Sequence, residues 1–408
     1  MDVKVLGAAM TPFGRHAGAD LRSLAVAATT AALGDAGLGP ADVGMVVFGN
    51  ATDGILHGQE MIRGEVALRH AGFRGVPIVN VENACASSST ALHVACLAVE
   101  AGAVDVALAV GVEKLTHAVK ARSFTAIATA VDLDEDPAVR RMVAGTLLGQ
   151  SAGDEPVVES SPLMVRYAAK AQQYMTTAGA TDDDLARVSV KNRAHAVLNP
   201  NAQFRTPITA DEVLASRMIA DPLRLLMCAP IGDGAAAVVV ASPAAARRLG
   251  GGRVTVAACA LTSNGADPAA ARPAERAARA AYDQAGVGPM DVDVAEVHDA
   301  CSAAELWMYE QLGFCGPGDG PKLLADGATA LGGRLPVNTS GGLLSRGHPL
   351  GATGCGQLVE LVDQLRGRAG DRQVPGARVA LAHNAGGMLD RTDEAAAVVT
   401  ILIAGRPA

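Results

Sequence analysis

Aromatic residues make up only 3% of this 408-residue chain, and Trp307 is its one tryptophan. So sparse a supply argues against a base-stacking platform for single-stranded nucleic acid. No run of Lys or Arg occurs and the net charge is −8, which argues against a nucleic-acid partner or an anionic membrane surface. The cysteines, at 85, 96, 228, 259, 301, 315 and 355, form no C-x-x-C and are odd in number. They read as free thiols in a reducing compartment rather than as a disulfide framework or a Cys-rich zinc site. The amino terminus lacks the basic-then-apolar segment of a secretory leader. No apolar run reaches spanning length without Gly or charge, so no membrane span is expected. These absences together point to a cytoplasmic chain.

Half of the residues are hydrophobic, and Ala, Gly and Val predominate among them. That is ample material for a large core, and small core residues favour closely packed layers of helix and sheet. The length corresponds to roughly two to three domains at about 150 residues each.

The chain repeats itself. Residues 31–50 read AALGDAGLGPADVGMVVFGN and residues 280–299 read AAYDQAGVGPMDVDVAEVHD, with eight identities at an offset of 249. Each copy reads as a helix, a Gly stop, a Gly-Pro turn and a strand. A second echo places VENACAS (81–87) against PVNTSGG (336–342), and DVALAVGV (105–112) against RVALAHNA (378–385). Two halves in the same order indicate a duplicated α/β unit. Residues 1–116 with 226–248 are read as the first half and 249–408 as the second. Residues 117–225, more polar and carrying an acidic run at Asp132, Asp134, Glu135 and Asp136, are read as an insertion between them.

Four segments carry residues suited to chemistry. In NACASSSTALHVACLAVEAG, Cys85 precedes an Ala-rich helix for which Ser87, Ser88, Ser89 and Thr90 are N-cap candidates. A thiol there meets the positive end of the helix dipole, which lowers its pKa and makes it a nucleophile. The plainer alternative is a buried structural cysteine. In GGLLSRGHPLGATGCGQ, His348 lies among glycines that let backbone approach a ligand, and it suits a base or an oxyanion donor, or simply a helix cap. EVHDACSAAELW places His298 and Asp299 at a strand end, where α/β sheets collect ligands. AHNAGGML does the same for His383 and Asn384, and its Ala385, Gly386 and Gly387 can offer backbone N–H groups. Each alone could be a satisfied strand-end residue. A metal site from these residues is not expected, because they lack close ligand spacing.

Together, NACASSS, the HDA triplet at 298–300, NTSGG followed by GHPLGATG, and HNAGG resemble the thiolase superfamily from about residue 4 to 403. The nearest variety is the sterol-carrier-protein type and related bacterial thiolase-like acyltransferases, which carry His-Asp where biosynthetic thiolases carry Asn-Glu. The resemblance implies duplicated βαβαβαββ halves in a five-layer α-β-α-β-α sandwich with an inserted loop domain. Cys85 matches the nucleophile that takes an acyl group from coenzyme A, and His348 the residue that activates it and binds a thioester oxygen. His298 matches the second oxyanion site. The N–H groups of Cys85 and of the stretch Ala385–Gly387, beside Asn384, match the acyl-enzyme oxyanion hole. A homodimer or dimer of dimers, a small zinc-ribbon/OB-fold partner protein, and an acyl-CoA substrate with no tightly bound cofactor are also implied.

One departure matters. Common thiolases carry a second, acid/base cysteine where this chain has His383, and the sterol-carrier-protein type compensates with a cysteine directly after His-Asp. Here that place is Ala300, and Cys301 follows one residue later. A one-residue shift on an extended segment points a side chain to the opposite face. If the segment bends or starts a helix there, Cys301 still reaches the site; otherwise His383 or His298 serves as the base, with an ordinary pKa near neutrality. Four functions come into question on this basis: Claisen or retro-Claisen acyl transfer, acyl transfer to a non-CoA carbon acceptor, a retro-aldol lyase, and a non-catalytic subunit. The last predicts loss of Cys85 or His348, and both are present.

Overall fold

In the computed structural model, residues 1–147, 161–265, 271–389 and 393–405 are described. Their strands are β1 (Val3–Met10), β2 (Met45–Gly49), β3 (Ile78–Val81), β4 (Val106–Lys114), β5 (Met218–Ala220), β6 (Leu223–Arg224), β7 (Asp233–Ala241), β8 (Val254–Ser263), β9 (Val294–Glu296), β10 (Val379–Leu389) and β11 (Asp393–Ala404). Nine of them form one sheet in the order β3-β2-β4-β7-β1-β8-β11-β10-β9, and β5 pairs with β6 apart from it. Val337 adds a parallel bridge to Ala295 of β9. With that bridge the second half repeats the strand order of the first, and the halves meet where β1 runs antiparallel to β8 (Val3 opposite Val256).

The sequence repeat is a structural repeat. Helix Leu21–Ala36 ends at Gly37 (φ 67°) and helix Pro273–Ala285 ends at Gly286 (φ 68°), a left-handed position suited to glycine. In the turns that follow, Asp42 accepts a hydrogen bond from the Gly39 N–H at 2.8 Å and Asp291 one from Gly288 at 2.7 Å. The identities at the offset of 249 are therefore the stop and turn chemistry of each unit.

Five layers follow from which face each residue covers. On β7, Ala236, Val238 and Val240 pack towards helices Ser87–Glu100 and Thr353–Arg366. Their neighbours Ala235, Ala237 and Val239 pack on the opposite face with Ala25, Ala28 and Ala32 of helix Leu21–Ala36. In β11, Val398 and Leu402 share the central layer, whereas Ala397, Val399 and Ile401 turn outward towards helices Pro273–Ala285 and Ser302–Gln311. Strands covered on both sides are apolar throughout, not alternating. The two central helices are thus enclosed between the half-sheets, and their amino termini bear the Cys85 and His348 loops.

Between β4 and β7 lie helices Lys120–Ala128, Pro137–Leu147, Pro162–Ala178, Asp182–Val197 and Ala210–Ala215 and the β5/β6 hairpin. Tyr167, Tyr174, Leu185 and Val188 from these helices share a core with Leu306 and Trp307 of the second half. Among the described residues, no helix is long and apolar enough to cross a membrane.

Candidate active site

Cys85 sits in the tight turn Ala84–Ala86 between β3 and helix Ser87–Glu100. Ala84 takes a left-handed φ of 46°, a strained conformation for a residue with a Cβ and one held by its surroundings. The expected N-cap role for Ser87–Thr90 is not found: Ala86 occupies the cap and makes no side-chain cap bond. The hydroxyls instead brace the turn. Ser87 donates to the Ala84 carbonyl at 2.6 Å and accepts from the Asn83 N–H at 3.1 Å. Ser88 accepts from the Cys355 N–H at 3.0 Å, fastening the two central helices together.

Three segments distant in sequence meet at the thiol. The Cys85 sulfur and a ring nitrogen each from His298 and His348 lie within 4.8 Å of one another, all buried. The two imidazoles stand edge to face, with centroids 5.2 Å apart. His348 Nδ1 is 2.7 Å from Thr353 Oγ1, whose hydroxyl donates to the Pro349 carbonyl at 3.0 Å. His298 Nδ1 accepts from Asn384 Nδ2 at 3.3 Å, and the His298 backbone N–H donates to His383 Nδ1 at 3.5 Å. Among the described residues, His383 Nε2 is buried without a hydrogen-bond partner. Of the expected stretch, Ala385 and Gly386 lie in the β10–β11 ladder opposite Ala397 and Ala396. The Gly387 N–H faces the Cys85 sulfur. Gly386 is required by contact: a Cβ there would meet the Ala86 nitrogen at 2.9 Å and crowd the Asn83 carbonyl.

Charge at the site follows burial. The Cys85 thiol is pushed up to about 12, first by burial and then by Glu113 and Glu82, against the pull of the N–H groups of Cys85 and Gly387. The expected lowering by a helix terminus is thus overturned, because desolvation of a thiolate outweighs the end of one helix. Burial also pushes His348 down to about 3, with Arg346 adding to it, and His383 down to about 4. His298 falls well below its ordinary value through burial and then through His348 and His383. None of the three keeps the near-neutral value expected of an unperturbed imidazole. At neutral pH the site rests as an uncharged thiol among uncharged imidazoles.

Cys301 does not join this group. It caps helix Ser302–Gln311 and pairs backbone to backbone with Cys228. Cysteine and histidine are zinc-ligand types, and the fold gives Cys85, His298 and His348 a proximity that sequence spacing did not suggest. Glu113 and the Lys170–Glu394 pair carry no signal in the four segments read for chemistry above, and Asp299, read there as a strand-end group, proves to be an anchor. Glu113, buried, accepts from Thr52 Oγ1 at 2.7 Å and from the Gly351 N–H at 2.9 Å, tying the His348 loop to the first half. A carboxylate ending an otherwise apolar strand was its signal. Asp299 accepts from the Leu343 N–H at 2.7 Å and from Asn192 at 2.8 Å, anchoring the segment that leads into His348. Lys170 and Glu394 form a buried ion pair at 3.1 Å, with Lys170 over the Trp307 ring at 4.8 Å. A cavity of about 660 Å³ opens on the Cys85 turn between Asn83, Ala84, Ile55, Leu350, Gly386 and Gly387.

The thiolase N-terminal domain model matches residues 3–244, and the thiolase C-terminal domain-like model matches residues 257–402. The chain belongs to the thiolase family. It is an acyltransferase by that membership and has the five-layer thiolase fold. It is 40% identical to the acetyl-CoA acetyltransferase of Methanothermobacter thermautotrophicus, over 95% of this chain and 96% of that protein. It is 38% identical to benzoylsuccinyl-CoA thiolase subunit BbsB of Thauera aromatica over 94% of both chains. Human sterol carrier protein 2 is 37% identical over 94% of this chain and 70% of its own length. Among solved structures, the Ltp2-ChsH2(DUF35) aldolase superposes with a TM-score of 0.78 at 25% identity, covering 99% of this chain and 98% of that one. The acetyl-CoA acetyltransferase of Syntrophomonas wolfei shares the fold, with a TM-score of 0.70 at 19% identity over 98% of each chain.

Proposed function

We propose that this protein transfers an acyl group from coenzyme A through a Cys85 acyl-enzyme, forming or cleaving a β-ketoacyl bond. The observation that carries this is the meeting of the Cys85 sulfur with His348 and His298 beside the Gly387 N–H. His348 accepts the thiol proton as sulfur attacks the thioester. The N–H groups of Cys85 and Gly387 receive the oxyanion of the acyl-enzyme, and Asn384 holds His298 to receive that of the second half-reaction. Coenzyme A enters as a substrate thioester, and no resident cofactor is required. A cytoplasmic location and a homodimer or dimer of dimers belong to the same reading.

A second reading is a retro-aldol lyase working with a small zinc-ribbon/OB-fold partner. The likeness to a protein titled an aldolase, at a TM-score of 0.78, favours it. The two separate in one assay. Thiolytic cleavage of acetoacetyl-CoA by free coenzyme A, lost in Cys85→Ala, supports acyl transfer. Cleavage of a β-hydroxyacyl-CoA that persists in Cys85→Ala supports the lyase and sinks the acyl-enzyme.

A further inference from the structure

We infer that His348 is the single proton acceptor for both half-reactions, held in that role by Thr353, and that His383 is a hydrogen-bond donor in the place where a second acid/base would stand. The inference rests on the acyl-enzyme reading above. It follows from where each imidazole proton must lie.

The Thr353 hydroxyl has one proton, and it goes to the Pro349 carbonyl, which can only accept. Thr353 Oγ1 therefore accepts from His348 at 2.7 Å, and Nδ1 of His348 carries that ring's proton. Its Nε2 is left with the ring's free lone pair, and the His348 imidazole meets the Cys85 sulfur in the group. The other two rings are set the opposite way. His298 Nδ1 accepts from the Asn384 amide and His383 Nδ1 from the His298 backbone N–H. Both then carry their proton on Nε2. In His383 that N–H is buried and has no hydrogen-bond partner among the described residues, and a donor without an acceptor suits an oxyanion. One ring accepts and two donate, and among the described residues the Cys301 thiol is not part of the group around Cys85, its backbone being paired with that of Cys228.

The protons balance with one base. In the first half, the Cys85 proton passes to His348 Nε2 as sulfur attacks the donor carbonyl. The carbon–sulfur bond to coenzyme A then breaks, and the leaving thiolate takes the proton. In the second half, His348 Nε2 takes a proton from the α-carbon of the acceptor acyl-CoA, and the new carbon–carbon bond forms at the Cys85 thioester. The bond to Cys85 breaks, and His348 returns the proton to that sulfur. His298 and His383 keep their protons throughout.

The test separates the halves. Single-turnover labelling of Cys85 by acetyl-CoA reads the first. Exchange of α-deuterium from deuterated acetyl-CoA on the acylated enzyme reads the second. Thr353→Val should slow both by a common factor of ten- to a hundredfold, and Thr353→Ser should restore both to within about threefold. His383→Gln, which keeps a donor near the Nε2 position, should retain α-exchange to within about tenfold. Loss of α-exchange in His383→Gln with Cys85 labelling intact makes His383 the second base and overturns the inference. So does a Thr353→Val enzyme slowed in labelling alone. If the wild type is never labelled, it is the acyl-enzyme reading that fails.

Discussion

A thiol at about 12 beside an imidazole at about 3 makes a quantitative forecast for chemical labelling. At pH 7.5 such a thiol is ionised to roughly three parts in 10⁵, against nearly a tenth for an exposed cysteine of pKa about 8.5. The deficit is about three-thousandfold. The higher pKa makes the thiolate intrinsically more nucleophilic, with a Brønsted slope near 0.4–0.5, which returns a factor of roughly 25 to 55. Iodoacetamide should therefore modify Cys85 on the order of a hundredfold more slowly than a free thiol, and burial to 5% exposure slows it further. The rate, read by intact mass with Cys85→Ala as the control, should rise tenfold per pH unit from pH 6 to 9. A plateau with an inflection near pH 6–7 would mean a resting thiolate–imidazolium pair. That result refutes the account of burial overriding the helix terminus.

Removing one member of the Lys170–Glu394 pair leaves a charge uncompensated at 5% or 3% exposure. Lys170→Met should destabilise the protein by about 3–5 kcal/mol, and Lys170→Met with Glu394→Met by no more than about 1 kcal/mol, measured as urea midpoints. Gly386→Ala presses a methyl group onto rigid backbone at Ala86. It should lower stability by about 1–3 kcal/mol and cut Cys85 acylation at least a hundredfold, read by burst kinetics. Acid should unfold the protein early. His195, His348 and His383 are held neutral down to about 3, 3 and 4, while the unfolded chain binds protons at about 6.5. The unfolded state binds more protons in that window, so stability falls as pH drops below about 6.5, by about 1 kcal/mol per histidine per pH unit. Urea midpoints that stay flat between pH 6.5 and 5 would contradict this.

What the sequence disclosed, and what it withheld, follows from range. Gly37, Gly39, Pro40 and Asp42 match Gly286, Gly288, Pro289 and Asp291 because helix stops and turns are local chemistry, and those positions fold as read. The glycine-dense loop around His348 and the strand-end His298 are legible for the same reason, whereas His383 and Asn384, expected at a strand end, lie mid-strand in β10 opposite Val399 and Val398; the fold brings the three histidines together. The direction of the Cys85 pKa was not legible, because depth of burial is a tertiary property set by layers closing over the turn. The serines after Cys85 look like caps locally, but Ser87 turns back on the Ala84 turn and Ser88 meets the Cys355 amide, a partner far along the chain. Lys170 and Glu394 are 224 residues apart, and nothing local marks either as a partner. Thr353 follows His348 by five residues, yet its meaning rests on a hydroxyl that turns back to Pro349.

The measurement that bears most directly on the central claim is the intact mass of the protein after brief incubation with acetyl-CoA and longer acyl-CoAs, for the wild type and Cys85→Ala. The account predicts a gain of one acyl group in the wild type, removed by free coenzyme A, and no gain in the variant. A wild type that acquires no acyl group from any donor, or an adduct that persists in Cys85→Ala, contradicts it.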